Sequence, residues 1–154
     1  MRVAIGQDSH RFDFDNKDKK LILGGTVFEG YPGLLGNSDA DVVLHAITNA
    51  VSGITCINIL GGPSDELCKK GIKDSEVYLK KALEYLKYKI QHLSISIECK
   101  TPKITPKIED MRKNIARILG IEPNNIGITA TTGEGLTEVG KGQGISVICI
   151  ITTE

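Results

Sequence analysis

Leu93-Ser-Ile-Ser-Ile-Glu-Cys99 alternates apolar and polar residues without a break. Successive side chains on a strand point to opposite faces, so this pattern predicts a strand with one face on a core. Beyond it, Thr101–Pro106 is a loop carrying Pro102 and Pro106. Ile108–Leu119 has apolar residues at helical spacing, and Gly120 follows as a C-cap. Ile126–Ala130 reads as another strand. Ile145–Ile151 is apolar nearly throughout and is expected to be a last strand, buried on both faces. In the other direction, Asp74-Ser75 opens a helix with Val77, Leu79, Leu83 and Leu86 inward. Asn58–Lys73, with Gly61, Gly62, Pro63 and Gly71, reads as a loop. Ser38 is placed as the N-cap of an earlier helix, with Asp39 and Asp41 in its first turn. Val43, Leu44, Ile47, Ala50 and Val51 form its apolar stripe, up to Gly53. Met1–Phe12 opens as a strand and turns polar; Leu21–Leu23 is a short strand, and Thr26–Gly36 is irregular. This order predicts an α+β two-layer sandwich: a mixed β-sheet with helices on one face, in a single domain spanning residues 1–154.

The chain has 154 residues, which suits one domain. Nineteen Lys and Arg balance nineteen Asp and Glu, so the formal net charge is zero. A general nucleic-acid binder needs a basic surplus to displace counterions, so that class is excluded. With 5% aromatic residues and no Trp, stacking platforms for bases are scarce as well. No run of 18 apolar residues exists, so no membrane-spanning helix is expected. The opening MRVAIGQDSHRF reaches charge too early for a signal peptide, which points to a cytoplasmic protein. Cys56, Cys68, Cys99 and Cys149 form no CxxC pair. That argues against a zinc finger and a disulfide framework, and for buried or half-buried thiols in a reducing compartment.

Three pieces carry chemistry. Asp8 and His10 are two apart at a strand end, so both project to one face and can reach one ion. His45 lies on the first predicted helix, four residues after Asp41. Asp41 is then placed either to orient the His45 ring or to face the pocket itself. Two histidines and a carboxylate form a three-ligand catalytic zinc set with a fourth position open. A DxH triplet is nonetheless short and common by chance, and His92 reads as a surface residue. The second piece is Ala130-Thr-Thr-Gly-Glu-Gly135, directly after a strand. Its amides and hydroxyls suit phosphate oxygens, and Glu134 suits Mg²⁺. A plain glycine-rich connector fits the same residues, and no Walker or GxGxxG motif is present. The third piece, Lys100-Thr-Pro-Lys-Ile-Thr-Pro106, is a stiff loop with free backbone groups that can read a base edge or merely connect two elements.

Taken in order, RVAIGQDSHRF, LILGGTVF, SDADVVLHAITNA, TPKITPKIEDMR and ITATTGEGLTEVGKGQGI resemble the 2-C-methyl-D-erythritol 2,4-cyclodiphosphate synthases of the non-mevalonate isoprenoid pathway. The resemblance covers nearly the whole chain. It implies a homotrimer with active sites between subunits, and a phosphorus–oxygen lyase. The 2-phosphate of 4-diphosphocytidyl-2-C-methyl-D-erythritol 2-phosphate would attack the β-phosphorus, releasing CMP and the cyclic diphosphate. Carried over, Asp8, His10 and His45 would hold Zn²⁺, and Glu134 would hold Mg²⁺ or Mn²⁺. Thr132 would stabilise developing charge. Thr101, Pro102, Lys103, Ile104 and Thr105, with Ala130 and Thr131, would enclose the cytidine. Ser9, Ser38, Asp41, Asn58, Asp65 and Lys141 are the other implied substrate contacts. The chain departs from the family pattern at several points. Asn37 stands at a catalytic position usually held by His, and Asn49 and Asn58 stand where Asp is usual. Gly135 replaces a Lys, Glu138 an aromatic residue, and Lys141 an Arg. These changes leave a second implication open: a trimeric zinc-binding relative that holds cytidine nucleotides or isoprenoid phosphates without turnover. A generic α+β binding module leaves the ordered matches unexplained.

Overall fold

A computed structural model describes residues Met1–Glu154. Six strands and four helices follow in the order β1 (Arg2–Arg11), β2 (Leu21–Leu23), β3 (Thr26–Phe28), α1 (Val42–Thr55), α2 (Gly62–Lys69), α3 (Ser75–Leu83), β4 (Ile90–Glu98), α4 (Ile108–Leu119), β5 (Ile126–Thr131) and β6 (Gly144–Thr153). The main sheet has the order β1-β6-β4-β5, antiparallel except for the parallel pair β4 and β5, so it is mixed as expected. Helix α1 packs on β1 and β6 and helix α4 on β5, covering one face. On that face Leu93, Ile95 and Ile97 of β4 and Ile145, Val147, Cys149 and Ile151 of β6 are fully or almost fully buried.

The other face is open. Val3, Ile5, Ile148 and Ile150 on it are 58%, 65%, 42% and 44% exposed. Within one chain β6 is therefore buried on one face only. Its apolar run was expected to be buried on both, and no helix of this chain crosses to the second.

Three local expectations change. Helix α1 begins at Val42, with Asp41 as its N-cap. Ala40 has φ 54, a left-handed conformation that no helix can include, so Ser38 starts a turn instead. The Ser38 hydroxyl accepts the Ala40 N–H at 3.1 Å. The Asn58–Lys73 segment contains α2, whose Pro63 sits in the first turn, where no N–H donor is needed. Thr26–Phe28 pairs with β2 across Gly24-Gly25, both at positive φ, as a tight hairpin requires. Helix α4 has the expected limits, and Gly120 ends it at φ 66. All four cysteines are free; Cys99 and Cys149 are buried, Cys68 is half-buried, and Cys56 is exposed, not buried as expected. No helix is long and apolar enough to cross a membrane.

Candidate active site

The C-terminal ends of β1, β4 and β5 and the start of β6 lie together at one end of the sheet. The pairs His10 with Ile145, Glu98 with Ser146 and Glu98 with Thr131 show this register. Asp8 and His10 project from β1 toward α1, which supplies His45. Asp8 Oδ2 lies 2.9 Å from His10 Nε2 and 3.2 Å from His45 Nδ1, and the two ring nitrogens are 3.4 Å apart. These three side chains can hold one metal ion. Their meeting depends on Gly6. A Cβ there would lie 2.0 Å from Ala46 O and 2.4 Å from Ala50 N, so α1 reaches β1 only because Gly6 has no side chain. Asn49 adds a tether, donating from Nδ2 to Gln7 O at 2.9 Å. An aspartate there has no N–H to donate.

Each histidine is oriented through its other nitrogen. His10 Nδ1 is 2.8 Å from the Leu35 carbonyl, which accepts its proton and leaves Nε2 free as a ligand. His45 Nε2 is 2.8 Å from Ser75 Oγ, and that hydroxyl donates in turn to Asp39 Oδ1. Asp39 Oδ2 also accepts the Ser75 N–H at 3.0 Å. This Ser75–Asp39 relay was not found in the sequence, since thirty residues or more separate its members from their partners. Burial raises the Asp8 carboxyl, but hydrogen bonds from His10 and His45 outweigh it and bring it down to about 2. The Asp8 hydrogen bond raises His10, against the effect of burial.

Asp41 takes neither expected role. It is fully buried, with its carboxylate turned to the backbone. Its carboxylate accepts the N–H groups of Leu44 at 3.0 Å, Gly24 at 2.9 Å and Gly25 at 2.7 Å. Burial still raises its pKa to about 6, with those three N–H groups opposing. An N-cap side chain turns to backbone amides, not to a ring one turn on.

At the other edge of the sheet, a groove of about 450 Å³ is lined by Pro102, Lys103, Ile104, Thr105, Ala130 and Thr131, together with Cys99, Lys100, Pro106 and Thr132. The structure thus brings together the expected cytidine residues except Thr101, which is exposed beside them. The Thr101–Pro102 peptide bond is cis. A second depression of about 420 Å³ shares Lys100 and Thr132 and adds Glu134, Gly135, Gly140 and Lys141. It has no hydrophobic lining residue. Glu134 has φ 52 between Gly133 and Gly135, also at positive φ, and its N–H donates to Thr132 Oγ1 at 3.2 Å. Lys141 Nζ pairs with Glu138 at 3.2 Å.

The family model described as the YgbB family matches residues 1–154. The chain belongs to the YgbB family. Curated relatives named 2-C-methyl-D-erythritol 2,4-cyclodiphosphate synthase include one from Chlamydia trachomatis serovar L2b, 54% identical over 98% of this chain and 86% of its own length. Another, from Chlamydia caviae, is 49% identical over 98% of this chain and 88% of its own. Among solved structures, a 2C-methyl-D-erythritol-2,4-cyclodiphosphate synthase matches with TM-score 0.87 and 25% identity, over 99% of this chain and all of that one. The Plasmodium falciparum IspF, solved as a CDP complex, matches with TM-score 0.82 and 25% identity, over 97% of this chain and 93% of that one.

The other residues expected at the site are scattered around these features. Gly36 lies against the His10 ring, which puts the exposed Asn37 beside the triad, where its carbonyl accepts the Cys68 thiol at 3.3 Å. Ser9 and His10 line a small depression with Glu138 and Gln143. Ser38 is buried and occupied by its turn. Asn58 is exposed after α1, and Asp65 is exposed in the first turn of α2.

Proposed function

We propose that this YgbB protein converts 4-diphosphocytidyl-2-C-methyl-D-erythritol 2-phosphate to 2-C-methyl-D-erythritol 2,4-cyclodiphosphate and CMP. The observation that carries this reading is the Asp8–His10–His45 triangle. Its sides of 2.9, 3.2 and 3.4 Å approach the edge of a zinc tetrahedron, about 3.3 Å for ligands near 2.0–2.1 Å. Two imidazoles, each oriented by a partner at its other nitrogen, and a carboxylate are donors suited to Zn²⁺. Glu134 is a hard carboxylate suited to Mg²⁺ or Mn²⁺. When bound, these ions neutralise and polarise phosphate oxygens.

The reaction joins two anionic groups of one molecule. A P–O bond forms between a 2-phosphate oxygen and the β-phosphorus, and the bond from that phosphorus to the CMP oxygen breaks. The chain must hold both phosphates in line. Thr132 Oγ1 accepts the Glu134 N–H, so its own proton is available to oxygen charge that develops as the bond breaks. Lys100 and Lys141 line the same depression, and their positive charge suits phosphate oxygens. The adjoining groove offers backbone groups from Pro102 to Thr105 to a cytosine edge.

The two half-sites favour assembly. The triad is at the β1 edge and the groove at the β5 edge, three strand spacings or about 14 Å apart. Head-to-tail contact would bring the groove of one copy to the triad of the next, and three copies can close such a ring. The open apolar face with Val3, Ile5, Ile148 and Ile150 gives those copies a surface to bury. A homotrimer with shared sites is the assembly we propose.

The deciding experiment is incubation of zinc-loaded protein with the phosphorylated cytidyl substrate and Mg²⁺. CMP release is the expected outcome. No CMP above a metal-free control would refute turnover and leave the non-catalytic zinc-binding reading.

A further inference from the structure

Glu134 is held in an unfavourable conformation. Gly133, Glu134 and Gly135 have φ values of 77, 52 and 70 in succession, and only the glycines adopt such values at no cost. Local bonds shape the turn: Glu134 N–H to Thr132 Oγ1 at 3.2 Å and Leu136 N–H to Gly133 O at 3.0 Å. Something must also fix the turn to the sheet. The Thr137 hydroxyl donates to Glu98 Oε1 at 2.8 Å, and Thr137 Oγ1 itself accepts the Gly140 N–H at 2.9 Å. No other bond between two side chains joins residues 132–143 to the sheet.

The turn also rests directly on that carboxylate. A Cβ at Gly133 would lie 2.2 Å from Glu98 Oε1 and 2.9 Å from its Cδ. One at Gly140 would lie 2.9 Å from Gly133 O. The segment thus folds back on itself over Glu98, with glycine at both close approaches. Glu98 is the last residue of β4, paired with Thr131 on one side and Ser146 on the other. It ends one of the two inner strands of the sheet.

We infer that Glu98 is a positioning residue, which through Thr137 and Gly133 holds the Thr132–Glu134 turn in the shape that presents Glu134 to a divalent cation. Glu98 touches neither substrate nor cation in this role. The cation part of the inference rests on the reading of Glu134 given above. The anchoring part stands on the hydrogen bonds alone.

The test uses Glu98→Ala, Glu98→Gln, Thr137→Val and the Glu98→Ala/Thr137→Val double variant, all zinc-loaded. Two quantities are read. One is Mn²⁺ half-saturation in the presence of CDP, followed by electron paramagnetic resonance. The other is hydrogen exchange at the Glu134 and Leu136 amides in the free protein. Glu98→Ala and Thr137→Val should each weaken Mn²⁺ about tenfold, the scale of losing a group that supports a metal ligand. Glu98→Gln should stay near wild type, because its amide oxygen still accepts the Thr137 proton. The double variant should be no worse than either single one, since both break the same link. Zinc content should be unchanged throughout. Wild-type Mn²⁺ binding and wild-type exchange in Glu98→Ala would overturn the inference, and so would failure of Glu98→Gln to rescue. Faster exchange in Glu98→Ala, with no Mn²⁺ binding even in the wild type, would support the anchor and refute the role of Glu134.

Discussion

Replacing Gly6 by Ala should separate the metal triad with a single methyl group. The added Cβ would start 2.0 Å from Ala46 O and 2.4 Å from Ala50 N, both backbone atoms that no rotamer change can move. Ordinary contact begins near 3.4 Å, so α1 must retreat by 3.4 − 2.0 = 1.4 Å at that point. His45 precedes Ala46 on the same helix. Its Nδ1, 3.2 Å from Asp8 Oδ2, would move out to as much as 4.6 Å, past the tetrahedral edge of about 3.3 Å. Overpacking of this kind costs about 1–3 kcal/mol, and a contact between backbones places it at the upper end. Zinc affinity should fall by about 100-fold, equivalent to about 2.7 kcal/mol. Urea unfolding of the metal-free protein reads the first quantity, and zinc titration against a competing chelator reads the second. Both are done at one protein concentration, because assembly adds to apparent stability. Gly53→Ala is the control. Its Cβ would meet the Ala4 methyl at 3.0 Å, while the helix gains about 1 kcal/mol of propensity, so the two nearly offset. Stability within about 0.5 kcal/mol of wild type and unchanged zinc affinity in Gly6→Ala would refute the claim that this close approach builds the site.

Ser75→Ala should lower zinc affinity by about 10–100-fold by removing the acceptor that orients His45, while Asp74 continues to cap α3. Unchanged affinity in a chelator titration would mean that packing alone sets the ring. Glu76 ties α3 to Arg117 of α4 and lies at about 2, below its usual 4.5, chiefly through the Arg117 bond, with burial opposing and Lys80 assisting. A depressed carboxylate stabilises above its unfolded pKa. The advantage of wild type over Glu76→Gln should therefore be present above pH 4.5 and vanish as pH falls toward 2. Glu76 is half-buried but its partner Arg117 is largely exposed to solvent, so the difference should stay below about 1 kcal/mol. Unfolding curves at several pH values check it, and a difference that persists unchanged at pH 2 would contradict the assignment.

What was legible in the sequence is what depends on neighbours along the chain. The limits of α4 are set by apolar spacing and by Gly120, and both are local properties. Strict alternation marks β4 but not its start: the strand runs Ile90–Glu98 rather than Leu93–Cys99, because a register irregularity between Ile90 and His92 interrupts the alternation. Helix α1 was started too early because the left-handed Ala40 leaves no mark in the sequence. Helix α2 was missed because Pro63 breaks a helix interior but favours a first turn, and composition does not distinguish the two. The reading of β6 erred in one respect: its apolar residues report that both faces avoid water, and only one of them is covered within the chain.

The candidate site divides in the same way. Asp8 and His10 were certain to share a face, since alternation on a strand requires it, and the relevant ligand chemistry is written in the residue types. Tertiary structure decided that His45, 35 residues from His10, meets them, and through which nitrogen. It also decided that Asp41 caps a helix while Asp39, two residues away, supports the His45 ring through Ser75. Periodicity records which side of an element avoids water. A hydrogen-bond partner or a close approach depends on where two distant backbones lie, and the missing Cβ of Gly6 acquires its meaning only when α1 comes to rest against it.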